Sequence, residues 1–200
     1  MRSGSAMERG TSLAEMAVVV ALGALFAAIA LPALPQIRSR TRTAAAAREV
    51  VALFRRCRSE AVARSRTVAV QFTHPGSRWL YAMYEDSDGD GISSSDIASG
   101  DDRRLGGPWG LGDHAPGVEF SILPVAPIRK IPPQSGSLTN PTDPIQFGSS
   151  DLVSFTPLGA STSGTAYLSD GERMYGIVVS GASARCRIWR YLEGENLWVQ

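Results

Sequence analysis

The feature that most constrains this chain is an uninterrupted apolar segment near its amino terminus. Residues 16–31 carry no charged or strongly polar side chain, and the charge-free stretch continues to Ile37. A helix rises about 1.5 Å per residue, so these 16 residues cover roughly 24 Å of a hydrocarbon core about 30 Å thick. With its flanks out to Leu34, the segment is long enough to span a membrane. Pro32 and Pro35 are expected to kink or interrupt the helix where it leaves the membrane.

Three interpretations of this segment are open from its composition. Arg2 and Arg9 precede it, and residues 28–30 (Ala-Ile-Ala) are similar to a signal-peptide cleavage site, which favours a secreted protein. A plain single-span anchor is the second interpretation. The third starts from Glu15. A carboxylate near the edge of a membrane helix costs free energy, up to about 2.5–3.5 kcal/mol if it reaches the helix centre, and therefore indicates a functional group that needs a cationic partner.

The residues around Glu15 favour the third interpretation. Residues 9–16 (Arg-Gly-Thr-Ser-Leu-Ala-Glu-Met) resemble the type IV prepilin cleavage motif, in which a glycine ends a short basic leader and a glutamate follows five residues later. The resemblance implies that prepilin peptidase cuts after Gly10 on the cytoplasmic face and methylates the new amine of Thr11, where the family usually has phenylalanine. It also implies that the Glu15 carboxylate neutralises the Thr11 amine of a neighbouring subunit in a fibre.

The segment after the prolines predicts an amphipathic helix over residues 43–66, which contain no Gly or Pro and are rich in Ala and Arg. Apolar side chains spaced by three and four form one stripe at Ala47, Val50, Phe54, Cys57 and Ala61. The arginines that fall largely off this stripe are Arg48, Arg55, Arg58 and Arg66. They form either a solvated face or a surface for anionic headgroups or for acidic faces of neighbouring subunits.

Beyond Arg66 the apolar period changes to two, which predicts β-strands. The predicted strands cover residues 67–72, 79–84, 118–123, 152–156, 165–168, 174–180 and 185–191. Residues 124–150 are rich in Pro, Ser, Thr and Gly and predict a long loop. The fold class is therefore α+β, with a long N-terminal transmembrane and amphipathic helix followed by an antiparallel, two-sheet β domain.

Several blocks of the carboxy half resemble the pilin-like H-type pseudopilins (GspH/FimT-like) of type II secretion systems. The matching blocks are residues 155–159, 164–168, 176–180 and 184–187. In family members involved in DNA uptake the last block reads Gly-Arg-x-Arg and contributes to DNA binding; here Ala184 replaces the glycine, while Arg185 and Arg187 remain. On a strand these arginines share a face with Trp189 and Tyr191. That face is either a nucleic-acid contact or an exposed surface on which arginine stems cover aromatic rings.

The net charge of +1 hides two opposed segments. Residues 38–66 carry nine arginines against two glutamates, whereas residues 85–102 carry seven acidic side chains and no basic one. Within the acidic segment, residues 86–92 (Asp-Ser-Asp-Gly-Asp-Gly-Ile) begin like an EF-hand loop, but the twelfth position is Ile97 instead of glutamate. The candidate calcium ligands are Asp86, Asp88, Asp90 and Asp96, with Asp101 or Asp102 as alternatives that complete the shell. A generic turn is the other interpretation.

The remaining reactive residues do not indicate an enzyme. The sequence leaves two alternatives for the cysteines. Cys57 and Cys186 form a disulfide, since the exported compartment is oxidising, or they are two separately buried thiols. His74 and His114 lie in Pro/Gly turns without the neighbours of a triad or zinc motif, and the glycines lack nucleotide-binding spacing. We therefore expect a protein that requires no cofactor, with calcium as the only candidate ion.

These features predict a prepilin leader over residues 1–10, an N-terminal pilin helix over 11–66 with its membrane part at about 13–34, and a periplasmic β-rich domain over 67–200. We predict a minor pseudopilin that crosses the bacterial inner membrane once. Its expected partners are prepilin peptidase and other pseudopilins or pilins. The alternatives are a minor pilin of a type IV pilus that contacts nucleic acid through Arg185 and Arg187, and a secreted calcium-binding module.

Overall fold

The computed structural model describes residues 13–30, 33–125 and 127–200. The helices are α1 (Leu13–Ala30), α2 (Ala33–Arg64) and α3 (Ser94–Ser99). The strands are β1 (Val68–Thr73), β2 (Leu80–Glu85), β3 (Arg103–Gly110), β4 (Ile145–Gln146), β5 (Leu152–Phe155), β6 (Gly164–Ser169), β7 (Met174–Ser180), β8 (Arg185–Leu192) and β9 (Leu197–Val199). The chain forms two compact units, Met1–Ser39 and Arg40–Gln200.

In the first unit, α1 carries apolar side chains on all of its faces. Among its exposed side chains are Leu13, Val20 and Phe26, with exposed fractions of 89%, 68% and 71%. Within the described ranges, we find no helix that combines the length and the apolar character needed to cross a membrane. Pro35 falls in the first turn of α2, where a missing backbone N–H costs no helical hydrogen bond, and Pro32 lies outside the described residues.

In the second unit, α2 packs through the predicted apolar stripe, which is confirmed. Each of its five members is at most 1% exposed: Ala47, Val50, Phe54, Cys57 and Ala61. They share one core cluster with side chains of β1, β5, β6 and β7, so the helix lies against both sheets. Hydrogen bonds fix the two ends of this packed length. The Thr43 hydroxyl donates to Asp170 over 2.7 Å, and Arg64 Nη1 donates to Glu85 over 3.2 Å.

The predicted antiparallel two-sheet architecture is also confirmed. One sheet has the strand order β3-β2-β1-β5, and the other has the order β4-β6-β7-β8-β9. The β1–β2 hairpin turns at Pro75-Gly76 as predicted, with Gly76 at a φ of +87° that a side chain would strain. Six of the seven predicted strands are present within one or two residues of their expected bounds.

The seventh predicted strand, residues 118–123, is wrong. Its alternating pattern reflects burial of Val118 and Phe120, but among the described residues its backbone makes only an isolated bridge, from Glu119 to Ser169. The edge strand β3 was not predicted because its sequence contains Gly-Gly-Pro. Gly107 has a φ of +92°, and a Cβ there would lie 2.9 Å from the backbone of Ala82, at an irregularity in the β2–β3 register.

The long loop after Phe120 covers the outer face of the second sheet. Leu123, Ile128 and Ile131 are buried in a second core cluster with side chains of β6, β7, β8 and β9. Trp198 Nε1 donates a 2.7 Å hydrogen bond to the carbonyl of Arg129, and Asn196 Nδ2 donates another of 2.7 Å to the carbonyl of Pro127. Part of the predicted loop is therefore a packed layer, and it also contains the short strand β4.

Candidate functional site

The predicted assembly motif lies mostly outside the described residues. Gly10 and Thr11 precede the first described residue, so cleavage and methylation remain predictions. Glu15 is described: it lies in the first turn of α1 and is exposed. A carboxylate there faces the positive end of the helix dipole, which is favourable for a negative charge.

In the second unit, a groove of about 780 Å³ lies between α2 and the start of β8. We name it the arginine groove, because Arg55 and Arg58 line one side and Arg185 lines the other. The remaining lining residues are small or apolar: Ser59, Val62, Ala63, Ala184 and Cys186. Arg55 and Arg58 are three residues apart and therefore project from the same side of the helix.

The arginine groove has a positive potential that is not neutralised locally. Among the described residues, no carboxylate lies within 4.0 Å of Arg55, Arg58 or Arg185.

Ala184, at the turn into β8, has a φ of +50°, the left-handed region that glycine adopts most readily. The turn thus keeps a glycine-like backbone although its residue is alanine.

The residues of the predicted basic and aromatic face of β8 do not form one exposed surface in the structure. Arg185 and Arg187 are exposed, but Tyr191 is only 7% exposed and belongs to the second core cluster. The Tyr191 hydroxyl donates to Asn196 Oδ1 over 2.9 Å, and its ring centroid lies 5.1 Å from that of Trp198. The Tyr191 ring is therefore not available to stack on a base, whereas Arg185 lines the arginine groove.

Both cysteines are free thiols, so the disulfide that the sequence left open is absent from the structure. Burial raises the pKa of Cys57 to about 12. Burial also raises the pKa of Cys186, to about 11, while the positive charges of Arg55 and Arg58 act in the opposite direction. At neutral pH both sulfurs are therefore protonated and poorly nucleophilic.

The acidic segment contains two different arrangements. Glu85, at the end of β2, accepts hydrogen bonds from Arg103 at 2.6 Å and from Arg64 at 3.2 Å. The next group brings carboxylate oxygens of Asp86, Asp88 and Asp102 within 4.8 Å of one another.

Two of the predicted calcium ligands are not members of this group of three. Asp96 instead lies at the start of α3, where its backbone N–H donates to the hydroxyl of Ser93 over 3.2 Å and its carboxylate accepts from that hydroxyl. Asp90 is exposed.

Two parts of this arrangement could not be recognised from local sequence. Arg55 and Arg185 are far apart in the chain, and only the packing of α2 on the sheet of β8 places both beside one groove. The sequence named Asp102 only as an alternative ligand beside Asp101, and it is the pairing of β2 with the unpredicted strand β3 that brings Asp102, and not Asp101, to Asp86 and Asp88. The seven acidic residues of the segment 85–102 were the sequence signal for a cation site in this region.

A comparison with known families matches this part of the chain. The model of the type II transport protein GspH matches residues 46–183, more than half of the chain, from the packed part of α2 to the turn before β8. No curated protein and no solved structure matches the chain. Members of this family are structural pseudopilins that work with other pseudopilins. The matched range contains the packed part of α2, the whole first sheet and three strands of the second sheet, and the chain therefore belongs to the GspH family of type II transport proteins.

Proposed function

We propose that the chain is a minor pseudopilin of a type II secretion system, held in the bacterial inner membrane by residues 13–34 and assembled into a short periplasmic fibre. The observation that carries the proposal is the family match over residues 46–183, which covers the packed helix and most of both sheets. The activity is mechanical: the subunit joins or primes a fibre that pushes folded cargo outwards.

The apolar surface of α1 supports this proposal. Leu13, Val20 and Phe26 leave more than two thirds of their surfaces exposed, and apolar patches of this kind mark contacts with other proteins or with lipid. A bilayer would cover this helix before assembly, and the helices of neighbouring subunits would cover it afterwards. Cleavage after Gly10 would leave a free amine on Thr11 that can pair with Glu15 of the next subunit.

The attachment of α2 to the β domain suits a subunit that transmits force. The buried stripe packs the helix against both sheets, and polar contacts at Thr43 and Arg64 fix the two ends of this length. A push along the helix axis would therefore reach the β domain through a continuous core.

The proposal is tested by complementation in a strain that lacks this gene and secretes a measurable cargo enzyme. The wild-type gene should restore the enzyme to the medium, whereas Glu15→Gln, which keeps the side-chain shape but removes the charge, should leave it in the periplasm. Glu172→Gln is the matched control, because the Glu172 side chain is 72% exposed. Secretion by Glu15→Gln at the control level, or a deletion that abolishes pili and leaves secretion intact, would contradict the proposal.

The arginine groove favours a second candidate, a minor pilin of a type IV pilus that contacts DNA. Three arginines without a neighbouring carboxylate suit a phosphate backbone, and Arg187 is exposed close by. A gel shift of the wild-type protein that weakens with salt and is lost in Arg185→Ala/Arg187→Ala would support this candidate. The control is Arg78→Ala, which removes an arginine that pairs with Asp113. Absence of a salt-dependent shift in the wild type would eliminate it.

A further inference from the structure

Three carboxylates meet where β2 ends and β3 begins. The carboxylate oxygens of Asp86, Asp88 and Asp102 lie within 4.8 Å of one another. Asp86 is 6% exposed and Asp102 is 4% exposed, whereas Asp88 is exposed and opens the group to solvent. Buried carboxylates at this separation repel one another and lose hydration, so such a group is unfavourable without a cation.

Asp102 carries the clearest sign of a missing partner. Its Oδ2 atom is buried and has no hydrogen-bond partner, and its other oxygen accepts a long hydrogen bond of 3.4 Å from the backbone of Ser87. Burial raises the pKa of Asp102, and the negative charges of Asp86, Asp96 and Asp88 add to this effect. An unpaired buried carboxylate oxygen is unfavourable, because nothing replaces the water that it has lost.

The neighbouring arginines do not supply the counter-charge. Arg64 and Arg103 pair with Glu85, and Arg66 Nη1 donates to the backbone carbonyls of Asp86 and Ser87 over 2.8 Å and 2.7 Å. In the described part of the chain, no basic side chain lies within 4.0 Å of the three carboxylates. The negative charges of the three carboxylates are therefore available to bind a cation from solution.

We propose that Asp86, Asp88 and Asp102 bind one calcium ion that joins the end of β2 to the start of β3. Calcium takes oxygen ligands at about 2.3–2.6 Å, so two ligand oxygens of one ion lie at most about 5 Å apart. The three carboxylate oxygens all lie within 4.8 Å of one another and are therefore close enough to share one ion. Water on the open side at Asp88 completes the shell. This ligand set differs from an EF-hand loop, because its third carboxylate comes from the start of the next strand.

The bound ion has a structural consequence for the whole acidic segment. The ion neutralises the negative charges of Asp86, Asp88 and Asp102, which otherwise repel one another. In the sequence, α3 and the loop around it lie between Asp88 and Asp102. The site is also adjacent in sequence to Glu85, which holds the end of α2. Calcium should therefore stabilise the place where the helix, β2 and β3 meet, whichever fibre the protein belongs to.

The test uses the full-length chain, purified in detergent and freed of metal with a chelator. Thermal unfolding is followed with increasing calcium chloride, and the heat of calcium binding is measured by titration. The wild type should bind calcium, and its Tm should rise with the logarithm of the calcium concentration. Asp102→Asn should lose this rise, and in chelator it should melt at or above the wild-type temperature, because a buried unpaired charge has been removed.

Two further variants make the result specific. Asp101→Asn is the matched control, since it makes the same change at the adjacent exposed aspartate and should keep the wild-type shift. Asp88→Asn tests the group at an exposed position where folding is not at risk, and should weaken calcium binding. No calcium-dependent heat or Tm shift in the wild type, or equal shifts in Asp102→Asn, Asp88→Asn and Asp101→Asn, would overturn the proposal. An equal shift with magnesium chloride would overturn the assignment to calcium.

Discussion

Phe54 is the side chain around which α2 packs on the two sheets. It is fully buried, and its ring centroid lies 6.4, 6.1 and 5.9 Å from those of Phe72, Phe147 and Phe155. Phe54→Ala should lower the free energy of unfolding by about 3–5 kcal/mol, because it removes a ring from a core that cannot fully collapse. Val62→Ala, on an exposed position of the same helix, should change it by less than about 0.5 kcal/mol. Chemical denaturation measures both, and equal losses would contradict this packing.

The two thiols should differ in reactivity although both are protonated at neutral pH. Cys57 is fully buried with a pKa of about 12, whereas Cys186 is half-buried beside the arginine groove with a pKa of about 11. Iodoacetamide should therefore label Cys186 first in the native protein, as mass spectrometry of the peptides can show. Both should react equally in denaturant. Faster labelling of Cys57 in the native state would contradict the placement of α2.

At this scale, the sequence predicted the residues whose role depends on local spacing. The stripe from Ala47 to Ala61 follows from the helical period alone, and all five of its members are buried. The roles of Asp102 and Arg185 depend on which strands and helices become neighbours. Their own segments marked both as candidates, but the partners of each residue, Asp86 and Asp88 for Asp102 and Arg55 and Arg58 for Arg185, follow only from the packing.

At the scale of elements, Glu85 connects the end of α2 to the first sheet. It is buried at the end of β2 and accepts hydrogen bonds from Arg103 on β3 and Arg64 on α2. Glu85→Gln should lower the free energy of unfolding at pH 7 by about 1–2 kcal/mol, because two charge-assisted hydrogen bonds are weakened. Glu60→Gln is the control: it removes a more exposed partner of Arg64, at 2.8 Å, and should cost about 0.5 kcal/mol or less.

The Glu85 contribution should depend on pH in one direction. The hydrogen bond from Arg103 lowers the pKa of Glu85 below its usual 4.5, although burial acts against this shift. The folded state therefore holds the proton less tightly than the unfolded chain. The stability difference between wild type and Glu85→Gln should be constant above about pH 4.5 and should shrink as the pH falls through the lowered pKa. A difference that grows on acidification would contradict this arrangement.

Strands with a regular apolar period were predictable, and strands with irregular backbone were not. β7 was predicted with its observed bounds, Met174–Ser180, because its apolar side chains are continuous and turns flank it. β3 contains Gly107 at a left-handed φ, so its sequence resembles a turn. Residues 118–123 show the opposite error, since a buried segment that pairs with β6 at only one bridge alternates in the same way as a true strand.

At the scale of the whole molecule, the two opposed charge segments partly neutralise each other within the chain. Arg64 and Arg66, from the basic segment, lie 3.2 and 3.9 Å from the oxygens of Glu85 in the acidic segment. In the part of the chain that the structure describes, Arg55 and Arg58 make no ion pair and line the arginine groove, and Asp86, Asp88 and Asp102 make no ion pair and form the proposed calcium site. The net charge of +1 therefore says little about which surface binds a partner.

The proposed function requires a processed pseudopilin whose apolar helix is kept in the working protein. Its most direct test is mass spectrometry of the amino-terminal peptide of the protein extracted from membranes of cells that contain prepilin peptidase. We expect a peptide that begins at Thr11 with a methylated amine, and an uncut chain in cells without the peptidase. A mature chain that begins near Leu31, with the apolar segment removed, would contradict the proposed function.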